Sequence, residues 1–308
     1  MPLSSPLGLL SDLSPGARLV GDRYRVVEPL GRGTYGIVYA CSDARLEREV
    51  AIKIGPAPSA PEPARRRFLR EARMMAEVSD PGTVVVLDYG RLPTTGHLYI
   101  VMERLRGESL RDRMDREGPM PLADTRDIVG DVLMTLAAFH ARGAVHRDLK
   151  PENVHLDHTE AGELMVKILD LGLARHEDQR DLITSEGERL GTPLYMAPEL
   201  VRNGEVSHRS DLFAVATMTF EMLTGETPVA RREDESLLRF MTRSVREPRR
   251  RLRALRPDLP EAVEEALARS LDLDPERRHA DARALLDDLV AAAGGVAPAR
   301  APRSWRLR

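Results

Sequence analysis

The chain has 308 residues and a single cysteine, Cys41. No internal disulfide is open to it, and a reducing compartment is implied. It has no long hydrophobic run. The longest apolar stretch, around "LVAAAGGVAPA", falls far short of the roughly 20 residues a spanning helix needs. The first twenty residues lack both a basic start and a sustained apolar segment, so no signal peptide is read there. Charge of one sign is not in excess either. A net charge of −3 and a pI near 6.3 exclude a global attraction to nucleic acid or to an anionic membrane. Together these absences imply a cytoplasmic protein. Lysine is nearly missing as well. Of 46 basic residues only Lys53, Lys150 and Lys167 are lysine, and the other 43 are arginine. A lysine kept against such a drift marks a place where a compact ammonium is needed and a planar fork does not fit.

What is present is enough for a large core: 42% hydrophobic and 31% charged residues, with no internal repeat. Residues 1–20 read as a loosely ordered leader. From Tyr24 to Met102 short β-rich runs ("YRVVEPLG", "GIVYACS", "REVAIKIG", "TVVVLDYG", "HLYIVME") are separated by Gly, Pro and charged turns. One helix interrupts them, with Phe68, Ala72, Met75 and Ala76 at helical spacing. From Leu110 onward helices dominate. "DLFAVATMTFEMLTG" is apolar nearly all round and is expected to be buried. Residues 294–308 read as a basic flexible tail. A small β-rich lobe followed by a larger helical one implies a ligand cleft at their boundary.

Polar motifs punctuate this pattern. "LGRGTYGIVYA" spaces Gly31, Gly33 and Gly36 between two strand-like runs, where a backbone turn can approach phosphate oxygens. A strand follows the last glycine, which excludes a dinucleotide-binding turn. In "VAIK", Val50 and Ile52 alternate with Ala51 and Lys53, so Lys53 points to the face opposite its apolar neighbours. Glu71 shares a helix face with Met75, which admits an ion pair with Lys53. "AVHRDLKPENVHLD" packs His146, Arg147, Asp148, Lys150 and Asn153 between two apolar runs, and "VKILDLGLAR" and "GTPLYMAPE" follow.

These six motifs, in this order, resemble the eukaryotic-like Ser/Thr protein kinases of bacteria over about residues 22–292. The resemblance implies an α+β, two-lobed protein kinase-like fold with a kinase domain over 21–293, its N-lobe at 21–103 and its C-lobe at 104–293. It implies ATP and Mg²⁺, with Mn²⁺ as the alternative ion, and Ser/Thr hydroxyls of protein substrates as acceptors. Asp148 would orient the attacking hydroxyl, and Lys150 would reach the transferring group. Asn153 and Asp170 would hold the metal. Lys53, fixed by Glu71, would contact the phosphates under the glycine loop. Val38, Ala51 and His155 would cover the adenine, Met102 would be the gatekeeper, and the backbone of Glu103 and Leu105 would bind the adenine edge. Asp211 would tie the buried helix to the catalytic loop, and Glu199 would pair with Arg278.

Three positions depart from the family pattern: Leu171 for a phenylalanine, Arg104 for a hinge aromatic, and His155 for an apolar floor under the adenine. Arg147 before the aspartate implies control by a phosphate on the activation segment, with Thr184 or Ser185 as its acceptor. The competing readings are a nucleotide-binding pseudokinase scaffold and a small-molecule phosphotransferase. The first is opposed by the complete set of catalytic residues, and the second by the "GTPLYMAPE" segment.

Overall fold

A computed structural model describes residues 13–33, 36–78, 80–158, 164–169, 193–202 and 204–294. The chain divides into two compact units, Met1–Ser79 with Thr83–Arg106, and Asp80–Gly82 with Gly107–Arg308.

The first unit is built on a six-stranded antiparallel sheet of β1 (Arg18–Leu19), β2 (Tyr24–Gly33), β3 (Gly36–Asp43), β4 (Arg48–Ile54), β5 (Val86–Arg91) and β6 (Leu98–Glu103). The strand order is β1-β2-β3-β4-β6-β5. One face of this sheet is the core, where Val26, Ile37, Tyr39, Val50, Ile52, Tyr99 and Val101 pack together. The period-two alternation sends the intervening residues to the other face. In "VAIK" Val50 and Ile52 are core, so Ala51 and Lys53 face away from it. The segment Leu13–Val20, expected in a loose leader, is instead part of this unit. Arg18 and Leu19 pair with Arg25 and Tyr24, and the Leu13 N–H donates to the Tyr39 hydroxyl at 3.1 Å. A two-residue edge strand has too few positions to show an alternation, which is why the sequence did not betray it.

Helix α1 (Glu62–Val78) belongs to the same unit. Its buried stripe, Ala64, Phe68, Glu71, Ala72, Met75 and Val78, carries one charged residue.

The second unit holds a three-stranded sheet of β7 (Glu108–Ser109), β8 (Val154–His158) and β9 (Leu164–Ile168), in the order β7-β8-β9. Asp80–Gly82 sits with it because the Ile168 N–H donates to the Gly82 carbonyl at 2.7 Å. The helices are α2 (Leu110–Glu117), α3 (Leu122–His140), α4 (Pro198–Arg202), α5 (His208–Thr224), α6 (Leu237–Ser244), α7 (Leu252–Leu255), α8 (Glu261–Ser270) and α9 (Ala282–Ala292). Start signals are local. Ser109 and Asp112 form a capping box on α2, Ser207 and Ser210 another on α5, and Asp281 caps α9. Gly225, in the left-handed region at φ 77°, ends α5. Every residue of α5 from Ser210 to Leu223 is buried, as its all-round apolar sequence predicts. It forms the axis on which α3, α8 and the 3-10 turn Pro193–Tyr195 pack.

Candidate active site

In the first unit the candidate residues lie on one face of the sheet. Lys53 lies opposite Val38 on β3 and Ile100 on β6, and Ala51 lies opposite Met102. Cross-strand partners share a face, so Val38, Ala51, Lys53 and Met102 stand on the face turned away from the core. The Lys53 ammonium meets the Glu71 carboxylate at 2.9 Å. Lys53 is 5% exposed and Glu71 3%. A buried pair of this kind contributes little net stability, because both ions lose their hydration. Its value is positional: it fixes an ammonium at one point of the sheet face.

The glycines separate by role. A Cβ on Gly36 would lie 2.3 Å from the Ile54 carbonyl oxygen, so the sheet itself requires glycine there. A Cβ on Gly31 would meet nothing within 4 Å, which leaves open space above that strand. Gly33 pairs with Gly36 at the strand end. At the other end of the sheet the Glu103 N–H already donates to the Val85 carbonyl at 3.0 Å. Any adenine contact from Glu103 therefore falls to its carbonyl oxygen. The Leu105 carbonyl accepts from the Arg104 guanidinium.

In the second unit the candidate residues cluster in the loop at 146–153. Asp148 is flanked by Lys150, with 3.5 Å between carboxylate and ammonium. The Asn153 amide nitrogen donates to the Asp148 carbonyl at 2.7 Å and lies 3.4 Å from its carboxylate. With the nitrogen anchored, the end of the Asn153 amide turned away is its oxygen, a hard donor of the kind Mg²⁺ accepts. Its expected co-ligand Asp170 lies outside the described residues, as do Leu171, Thr184, Ser185 and Thr192. Among the described residues no group of three His, Cys, Asp or Glu side chains is placed to hold a metal.

His146 is fully buried beneath the loop. Its Nε2 is 3.1 Å from the Leu169 carbonyl oxygen, which can only accept, so Nε2 carries the proton. Its Nδ1 accepts from the Asp148 N–H at 3.4 Å. The imidazole is thus a neutral strut, not a base. Asp211, at the start of α5, accepts from the backbone N–H groups of His146 and Arg147 at 2.8 and 2.9 Å. His155 stands on β8 opposite Lys167 on β9 and Ser109 on β7.

Three contacts had no signal in the sequence reading. The His140 Nε2 meets the same Asp211 carboxylate at 2.8 Å. Ser210 donates to Glu199 at 2.8 Å, beside the two 2.8 Å bonds that Arg278 makes to that carboxylate. Burial opposes ionisation of Glu199, but the bond and charge of Arg278, together with the bond from Ser210 and a backbone bond, outweigh it and hold the acid below its ordinary range. Tyr195 donates its hydroxyl to Glu221, and Arg111 reaches both, at 2.6 Å to the phenol and 2.9 Å to the carboxylate. Tyr195, Pro193 and Met196 line a concavity with Asp148 and Lys150. Residues 193–197 of the "GTPLYMAPE" motif therefore border the loop carrying Asp148 and Lys150 within one unit.

The profile of the protein kinase domain matches residues 24–290. The chain belongs to the protein kinase family. Its relatives among curated proteins include the serine/threonine-protein kinase PknB of Mycobacterium tuberculosis, 36% identical over 287 residues, which cover 91% of this chain and 44% of that protein. Pkn3 of Myxococcus xanthus is 34% identical over 284 residues, 89% of this chain and 50% of the relative. The chain thus spans about half the length of the curated relatives it matches. The DNA damage-responsive serine/threonine-protein kinase RqkA of Deinococcus radiodurans is 38% identical over 274 residues, 89% of this chain and 40% of that one. Among solved structures, the PknI kinase domain of M. tuberculosis superposes with a TM-score of 0.67 at 28% identity, covering 90% of this chain and 98% of that one. The protein kinase fold, a β-rich first unit and a helical second one, follows from both comparisons. A kinase domain implies ATP and a divalent metal ion. Among the described residues no helix is long and apolar enough to cross a membrane.

Proposed function

We propose that this kinase domain transfers the γ-phosphoryl group of Mg-ATP to Ser or Thr hydroxyls of proteins, itself included. The observation that carries the reading is the catalytic loop: Asp148 with Lys150 at 3.5 Å and Asn153 anchored to its carbonyl. A pseudokinase scaffold would have no use for that loop alongside an intact Lys53–Glu71 pair. The lone cysteine supports a cytoplasmic location.

The mechanism follows from what each group can do. The nucleotide supplies the phosphoryl group, and the divalent ion neutralises its charge. Lys53 holds the α- and β-phosphates from one fixed point, since Glu71 leaves its ammonium no other position. In this reading Val38, Ala51, Met102 and His155 contact the adenine ring, and backbone groups of Glu103 and Leu105 bind its edge. The substrate hydroxyl oxygen forms the new bond to phosphorus, the bond to the ADP oxygen breaks, and the hydroxyl proton passes to Asp148. Lys150 offsets the charge that develops on the moving group. Positioning and electrostatics provide nearly all the acceleration. Asn153 and Asp170 are the metal ligands in this reading, with Mg²⁺ favoured by their hard oxygen donors.

Activation is read from Arg147 and from Thr184 and Ser185. A phosphate on Thr184, or else Ser185, adds about −1.5 to −2 charge and would order its segment through arginine contacts. Thr184→Ala then lowers activity several-fold without abolishing it.

The test is incubation of the protein with Mg-ATP and mapping of phosphorylated residues by mass spectrometry, for wild type and Asp148→Asn. Wild type is expected to label itself on Ser or Thr. The variant is expected to bind nucleotide and to transfer nothing. Equal labelling of the two proteins would remove Asp148 from the mechanism.

A further inference from the structure

Seven arginines lie between 243 and 256. Five of them meet a carboxylate: Arg243 with Glu235 and Glu247, Arg250 with Glu226, Arg251 with Glu264, Arg253 with Glu261, and Arg256 with Asp258. The run is neutralised from within the fold, which removes most of its use for docking acidic partners.

Arg249 is the exception that is also half-buried. Its Nη1 donates to the Ser244 and Glu247 carbonyls at 2.8 and 2.6 Å, and its guanidinium lies 5.3 Å from the centroid of Phe213. The guanidinium of Arg278 lies 4.9 Å from the same ring. Arg202, the last residue of α4, is exposed and donates to the Val245 carbonyl, between the two residues that hold Arg249. Three guanidinium groups therefore gather around the end of α6 and one phenyl ring. One carboxylate beside them, Glu199, is already held by both Nη atoms of Arg278.

Carbonyl oxygens accept from one nitrogen of each of Arg202 and Arg249 but bring no counter-charge. Burial, and then the charges of Arg278 and Arg202, pull the pKa of Arg249 down to about 10, and the charges of Glu247 and Asp272 offset this only in part. Buried cations are ordinarily paired. This one is instead held against two like charges, with Nε and Nη2 not used by the carbonyls. Paired planar forks of this kind fit a tetrahedral oxyanion, which they bind bidentately.

We propose that Arg202 and Arg249, backed by Arg278, form a binding site for a doubly charged phosphate-type anion. The site uses none of the residues assigned to phosphotransfer, so it stands or falls apart from that reading.

The test is binding of inorganic phosphate to the full chain by titration calorimetry. It is paired with thermal denaturation in sodium phosphate against sodium chloride of equal ionic strength. Saturating phosphate is expected to raise the denaturation temperature by about 2–4 °C over chloride. Arg202→Gln and Arg249→Gln are each expected to weaken phosphate binding at least tenfold. Arg202 is exposed, so its variant keeps the test open should Arg249→Gln fail to fold. Without phosphate, Arg249→Gln is expected to denature no lower than wild type, because it relieves repulsion. A purely structural arginine would instead lower that temperature on removal. An identical response to phosphate and chloride, or undiminished phosphate binding in both variants, would overturn the site. Repeating the titration after incubation with Mg-ATP separates the sources of the anion. Undiminished binding points to a free anion, and loss of binding to a phosphoryl group on the chain itself occupying the site.

Discussion

Asp211 holds Arg147 in a conformation that arginine rarely adopts. The Arg147 backbone is left-handed, at φ 70°, and its N–H donates to one Asp211 oxygen at 2.9 Å. The preceding N–H, that of His146, donates to the other oxygen at 2.8 Å. A left-handed non-glycine residue costs about 1–3 kcal/mol and persists only where its surroundings over-determine it. Here the surroundings are one carboxylate, 1% exposed, rooted in the buried helix α5. The next residue is Asp148, so the aim of the carboxylate proposed to orient the attacking hydroxyl depends on this strained turn.

Asp211→Asn tests that dependence. An amide can accept one of the two N–H bonds, but its NH₂ group would face the other N–H. One buried donor is left unsatisfied, and the charge-assisted bonds are lost. The expected cost is about 2–4 kcal/mol in stability by urea denaturation. Phosphotransfer should fall at least tenfold, carried by kcat and not by KM for ATP. Wild-type kcat in a folded variant would show that the catalytic loop keeps its shape without Asp211.

The scarcity of lysine can be read again in the structure. Lys53 is 5% exposed, Lys167 is fully buried, and the Lys150 side chain is 19% exposed beside Asp148. None of the three is a surface residue, where arginine would serve as well. Lys53→Arg keeps the charge but puts a longer planar group where Glu71 and the sheet leave room for a compact one. The expected result is a loss of phosphotransfer of about 10²-fold, the scale of an ångström of misplacement. Lys167→Arg should overpack its site and destabilise the protein by about 1–3 kcal/mol. Wild-type turnover in the first variant, or an unchanged urea midpoint in the second, would leave the lysines as survivors of chance.

Much of this site was legible because its signals are local. The alternation in "VAIK" put Lys53 on the correct sheet face, and the Glu71–Met75 spacing put the acid on the buried stripe of α1. Both follow from the geometry of a single element. The tie from Asp211 to the loop was readable only through the family resemblance. The bond from His140 to Asp211 joins α3 to α5, and no period in the sequence encodes it. The same holds for Arg111, Tyr195 and Glu221, whose polar atoms meet only through tertiary packing. Burial cannot be read from the arginine run at all. Five of its members look identical in sequence to Arg249 and differ only in which carboxylate the fold brings to them.

Gly55 supplies a further expectation about Glu71. A Cβ at that position would lie 2.3 to 2.6 Å from three ring atoms of Phe68. Phe68 sits on α1 three residues before Glu71, on the same buried stripe. The missing side chain lets the ring seat against the end of β4 and so sets the height of α1 against Lys53. Gly55→Ala should push the helix outward, costing about 1–3 kcal/mol and lowering kcat several-fold. Phe68→Leu in the same chain should recover part of the activity by making room. Absence of that rescue would mean the glycine serves the backbone and not the helix.

His279 gives a prediction in pH. It is fully buried, its Nδ1 2.7 Å from the Ser270 hydroxyl and its Nε2 2.9 Å from Asp288. A carboxylate only accepts, so Nε2 carries the proton and Nδ1 accepts from Ser270. The neutral ring is fully satisfied. Burial lowers the pKa of His279, the bond to Asp288 opposes this, and Arg269 adds to the lowering. The unfolded chain, with an ordinary histidine value of about 6.5, therefore binds the proton more readily than the folded one. Stability rises with pH wherever the unfolded state holds more protons. The contribution of His279 is complete above about pH 7.5. It is lost as the pH falls through the unfolded value toward the lower folded one, and it levels off once both states are protonated. Urea denaturation at pH 7.5 and 5.5, for wild type and His279→Gln, isolates this residue from the other histidines. Wild type should lose more stability between the two values than the variant does. An equal loss in both would mean that the ring is protonated in the fold without penalty, with Asp288 compensating for its burial.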